Sequence, residues 1–117
     1  MLAPEWMKNA RFPFGCVLIA NRGEVACRIA KACKELNLST VAIYTINDQD
    51  SPLLELCDQI YLLEGETLNE TYLNVNSIIN AAKKTGAQAI HPGFGFLSES
   101  SEFAKAVDES GLIWIGP

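Results

Sequence analysis

Five short apolar runs recur along the chain, and the stretches between them carry helical periodicity or turn residues. The runs are residues 16–20 (CVLIA), 40–44 (TVAIY), 59–63 (QIYLL), 88–90 (QAI) and 112–115 (LIWI). Each is too short to be a helix, and the second is rich in β-branched residues, so they read as strands, the first of them, a continuous apolar run, as a buried parallel one. Residues 24–36 place Val25, Ile29, Cys33 and Leu36 on one apolar stripe, with Arg28, Lys31, Lys34 and Glu35 off it. Asn37 is a helix stop. Pro52 opens a short helix running to about residue 57. Val75, Ile78, Ile79 and Ala82 define another helix that ends at Gly86. Phe103 and Val107 mark a further one, with Ser100 or Ser101 as its N-cap and Gly111 as its end.

Strands alternating with helices predict βαβ units. Right-handed crossovers then give an α/β fold: a Rossmann-like open parallel sheet of about five strands with helices on both faces. The first strand is expected beside the switch point, where ligands gather beyond the strands' carboxyl ends. The 117 residues amount to one domain.

Composition excludes several function classes. The net charge is −5, from nine basic and fourteen acidic residues, which argues against a nucleic-acid binder. Residues 1–36 hold six of the basic residues, and seven acids fall between Asp48 and Glu70, a solvated acidic flank. No apolar run approaches the roughly 20 residues of a membrane span. Cys16, Cys27, Cys33 and Cys57 include no C-x-x-C pair, and there is one histidine, so no metal site is expected. A reducing compartment without disulfides is the reading. Residues 1–13 look like a flexible leader with neither a signal peptide's apolar core nor a transit peptide's charge. The cytoplasm is the expected compartment, with the mitochondrial matrix as the alternative.

Two loops fall at the ligand-bearing edge of such a sheet. The first is Asn21-Arg22-Gly23-Glu24, between strand 1 and helix 1. It lacks the G-x-G-x-x-G of dinucleotide binding. It reads either as an anion site, with Arg22 adding charge at a helix N-terminus, or as a turn in which Asn21 caps the helix and Gly23 relieves the backbone. The second loop follows strand 4 and runs from His91 through Pro92, Gly93, Phe94, Gly95, Phe96, Leu97 and Ser98 to Glu99. Its glycines permit positive φ, with Gly95 expected to need it. Phe94 and Phe96 are two rings expected to be exposed, as a ligand wall, a partner surface or a lid over the core. His91 reads as a general base or, more simply, as a hydrogen-bonded structural residue. Glu99 is placed to orient a backbone amide or to accept a hydrogen bond. No nucleophile with its base is present, so no catalytic residue is expected in this chain.

The stretches VLIANRGEVACRI at 17–29, TYLNVNSIINAA at 71–82 and AIHPGFGFLSES at 89–100, with the closing LIWIGP, closely resemble the N-terminal domain of biotin carboxylase. The resemblance covers about residues 14–117. It implies a pre-ATP-grasp domain of a biotin-dependent carboxylase, of the acetyl-CoA, propionyl-CoA, methylcrotonyl-CoA, pyruvate or urea carboxylase group. Such an enzyme uses ATP, Mg2+ and bicarbonate to carboxylate N1 of biotin on a carrier protein. The resemblance places the ATP-grasp region after Pro117, so this piece alone is expected to be inactive and to bind none of these groups tightly. Implied partners are the rest of the carboxylase chain, the biotin carboxyl carrier domain, the carboxyltransferase and a second copy in a homodimer.

By the same resemblance, the glycine loop borders the biotin end of the site, which makes His91, Pro92, Gly93, Phe94, Gly95 and Glu99 substrate-binding candidates. Phe94 stands where the family usually has Tyr, so a hydroxyl is missing there. Arg28, Lys31 and Glu35 match dimer-surface positions on helix 1, although Lys31 and Glu35 are also spaced to pair within the helix. Asp48-Gln49-Asp50-Ser51 replaces the frequent D-R-D-S, and Cys57-Asp58-Gln59 the frequent A-D-E, which leaves the final carboxyl acceptor open. Two other readings stand beside this one. One is a non-catalytic interaction module. The other is the N-terminal domain of a different ATP-grasp ligase, such as carbamoyl-phosphate synthetase, against which the HPGFGFLSE loop argues.

Overall fold

In a computed structural model, residues 12–116 are described. The leader expected over residues 1–13 lies outside them, apart from Phe12 and Pro13. Five strands form one all-parallel sheet: β1 (Cys16–Ile19), β2 (Ser39–Tyr44), β3 (Gln59–Leu62), β4 (Ala89–His91) and β5 (Ile113–Trp114). Their order is β3-β2-β1-β4-β5, so the chain winds outward from β1 in one direction, then returns to build the other half. The expected switch point lies between β1 and β4.

The connections are α1 (Gly23–Glu35), α2 (Leu53–Leu56), α3 (Val75–Thr85) and α4 (Ser101–Glu109). Alternation along the strands divides the core between two faces. Leu18, Ala20, Val41, Ile43 and Ile90 meet Ile78, Ala81 and Ala82 of α3 and Phe103 and Val107 of α4. On the opposite face, Ile19 and Ala42 meet Ala26 and Ala30 of α1 and Leu53 of α2, while Val17 and Ala89 pack with Cys33. Phe103 also meets Trp114 edge-to-face, with centroids 5.3 Å apart.

The local stop signals act as the sequence indicates. Asn37 turns left-handed at φ 61° after α1, and Gly86 does so at φ 78° after α3. Ser100, of the two serines considered, caps α4 by accepting from the Phe103 amide. Asn74 caps α3 in the same way through Ser77.

Two expectations need correction. The buried stripe of α1 is Ala26, Ala30 and Cys33, and Val25, Ile29 and Leu36 are half-buried at its flanks. Small side chains let the helix backbone approach the sheet, and the larger ones straddle the contact. β3 is an edge strand, with Ile60 and Leu62 exposed and Leu63, just after it, buried. The fourth strand also extends one residue further than expected, so that His91 belongs to β4 rather than to the loop. Its carbonyl accepts from the Ala20 amide at 2.8 Å and continues the ladder to β1.

Candidate functional site

β1 and β4 are neighbours, so the loops that follow them leave the sheet side by side. Asn21 joins them. Its side-chain Nδ2 donates to the Pro92 carbonyl at 2.8 Å and to the Phe94 carbonyl at 2.6 Å. Its Oδ1 accepts from the Arg22 amide at 2.8 Å. Asn21 is therefore not the helix cap. Arg22 holds that position, with no side-chain cap bond. Gly23 does relieve the turn, at φ 67°.

Arg22 does not project as a free anion-binding charge. Its guanidinium donates to Asp48 at 2.6 Å and lies 5.9 Å above the centre of the Tyr72 ring. The Tyr72 hydroxyl donates to the other oxygen of Asp48 at 3.2 Å. Burial, together with the Asp48 carboxylate, pushes the Tyr72 phenol well above its ordinary range. The ring of Tyr72 stacks on Phe96, with centroids 5.4 Å apart. Phe96 is thus half-buried against the core rather than exposed, and it adopts φ 46°, which is rare for a residue with a side chain.

Between these two braces the loop presents Phe94, which is 79 % exposed. Gly93 and Gly95 flank it at φ 67° and 70°. A Cβ on Gly93 would lie 2.8 Å from Asn21 Nδ2 and 2.9 Å from Val25 Cγ1, whereas one on Gly95 would meet open space. Pro92 is buried. His91 Nδ1 accepts from the Gly93 amide at 3.1 Å, which places its proton on Nε2 and gives it the structural role. Burial holds its pKa below the ordinary value of 6.5. Glu99 is exposed and does not orient the loop, whose Ser98 and Ser100 amides donate to the Gly95 and Leu97 carbonyls.

The remaining candidates lie apart from this edge. Glu24 is exposed and pairs with Arg28 at 3.1 Å, one turn along α1. Lys31 is exposed and Glu35 half-buried on the same helix. The four cysteines are free thiols, all pushed up by burial, Cys33 to about 11. They are protonated at neutral pH and poor nucleophiles. Among the described residues no cluster of His, Cys, Asp and Glu could hold a metal ion, and no helix is long and apolar enough to cross a membrane. Sequence reasoning missed Asp48 and Tyr72 as members of the site.

Residues 13–117 match the family model for the biotin carboxylase N-terminal domain. The chain belongs to this family. Its biotin carboxylase N-terminal domain is 50% identical over 101 residues to the biotin-dependent acyl-coenzyme A carboxylase alpha3 subunit of Mycobacterium leprae, covering 86% of this chain and 17% of that one. It matches the crystal structure of Kluyveromyces lactis urea carboxylase with a TM-score of 0.87 and 48% identity, over 90% of this chain and 9% of that one. It also matches the biotin carboxylase domain dimer of Hydrogenobacter thermophilus 2-oxoglutarate carboxylase, crystallised with MgADP, ADP and bicarbonate. There the TM-score is 0.85 and the identity 45%, over 89% of this chain and 23% of that one. The biotin carboxylase N-terminal domain thus spans under a quarter of each of these relatives.

Two expected outcomes follow from this geometry. Gly95→Ala should cost on the order of 1 kcal/mol through positive φ alone. Gly93→Ala adds the collision with Asn21 and Val25 and should cost roughly 1–2 kcal/mol more. Urea denaturation of the two variants checks the ranking, and equal costs would refute it. His91 gives the second. Its folded pKa is depressed, so below pH 6.5 the unfolded chain takes up a proton that the folded chain resists. Stability should therefore fall as pH drops through 6.5, and His91→Asn should remove that component when melting is compared at pH values about one unit either side.

Proposed function

We propose that this chain is the N-terminal part of a biotin-dependent carboxylase and that its glycine loop forms one wall of the biotin site. The observation that carries the reading is Phe94: an exposed ring between two positive-φ glycines, on a loop braced at both ends beyond the carboxyl ends of the strands. An apolar ring surface suits the tetrahydrothiophene ring of biotin and the face of its planar ureido group. His91, Pro92, Gly93 and Gly95 shape the loop, and Glu99 stands at its exposed end.

ATP, Mg2+ and bicarbonate, with phosphoryl transfer, are assigned to the rest of the full-length enzyme, because this chain spans under a quarter of the relatives it matches. This chain's own share is to bind, orient and exclude water at the biotin side. The biotin would come on a carrier domain and pass its carboxyl group to a carboxyltransferase. The face of α1 that carries exposed Arg28 and Lys31 and half-buried Glu35 would meet a second copy, in keeping with the dimeric 2-oxoglutarate carboxylase relative.

Residues 1–117 alone should show no bicarbonate-dependent ATP cleavage, while the full-length enzyme should show it and respond to biotin. In that enzyme Phe94→Ala should raise the KM for free biotin about tenfold. ATP cleavage by the isolated domain, or a biotin KM that ignores Phe94, would sink the proposal. Arg28→Glu in the full-length protein should shift its sedimentation toward monomer, and an unchanged dimer would remove α1 from the interface.

A further inference from the structure

Asn21 is bonded more fully than a turn residue requires. It is 3 % exposed, and both of its amide N–H groups are spent on the neighbouring loop. The two carbonyls they reach, Pro92 and Phe94, bracket the Gly93–Phe94 unit. Each carbonyl belongs to a planar peptide group, so fixing both planes fixes the backbone between them. The direction of the Cα–Cβ bond of Phe94 then follows, and with it the stance of the exposed ring. The loop closes onto Asn21 without a side chain in the way, because position 93 is glycine and a Cβ there would come within 2.8 Å of the amide nitrogen.

We propose that Asn21 is a positioning residue for biotin, acting through Phe94. This rests on the reading that Phe94 walls the biotin site. A residue that served folding alone would weaken the enzyme toward all its substrates alike. One that aims Phe94 acts on biotin and falls silent once the ring is gone.

The test uses the full-length carboxylase with free biotin as the probe. Asn21→Ala should raise the KM for biotin about tenfold and move the KM for ATP less than about twofold. Phe94→Ala should also raise the biotin KM, and adding Asn21→Ala to it should change that KM less than about twofold. Gly93→Ala disturbs the same contact from the loop side and serves if Asn21→Ala fails to fold. It too should raise the biotin KM alone and add nothing to Phe94→Ala. Effects that multiply in the double variant, or equal rises in the two KM values, overturn the positioning role and leave the wall reading standing. A Phe94→Ala enzyme with an unchanged biotin KM overturns the wall reading and the positioning role together.

Discussion

The sheet edge is organised by the carboxamide of Asn21. It leaves β1 at the switch point and spends both donors on carbonyls more than seventy residues away in the chain. Donors and acceptors buried this deeply are costly to leave unpaired, on the order of 1–3 kcal/mol each. The two loops are therefore folded as one object. The placement of β4 beside β1 makes the contact available, and the missing side chain at Gly93 makes it close enough.

A second brace holds the far half of the loop. Asp48 accepts from Arg22 on one oxygen and from Tyr72 on the other, and Tyr72 carries Phe96 on its ring. Four separate segments of the chain meet there: the β1–α1 turn, the 3-10 turn at Ile46–Asp48, the residues before α3, and the glycine loop. Asp48 is the partner that turns Arg22 from a candidate ligand for anions into a structural group. Its side chain is only 14% exposed, so its attraction to Arg22 is less screened by water than that of a fully exposed pair.

What could be read from the sequence was local. Strand runs, helix periods and stops such as Asn37, Gly86 and Ser100 depend on neighbours a few residues away, and so they appear in the pattern itself. The positive φ of Gly95 was legible for the same reason. The errors share the opposite cause. Periodicity puts Val25, Ile29, Cys33 and Leu36 on the α1 stripe, whereas the sheet buries Cys33 with the smaller Ala26 and Ala30, because close approach is set by the partner surface. Nothing beside β3 in the sequence tells that it lies at the edge. Asn21 looked like a cap because a cap is what Asn does locally, and its true partners lie across the sheet. Asp48 and Tyr72 carry no periodic signal, although an Asp in the loop after β2 and a Tyr before α3 are both near the edge once the strand order is known.

The conformation of Phe96 has a thermodynamic consequence. A phenylalanine at φ 46° keeps that backbone because its ring is clasped by Tyr72. A loop fastened in this way gives up its conformational freedom when the chain folds, not when a ligand arrives. The entropy of ordering, about 1–2 kcal/mol for each residue's backbone, is then charged to folding. Whatever meets Phe94 finds a surface with little disorder left to lose, so its affinity is tied to the stability of the domain itself.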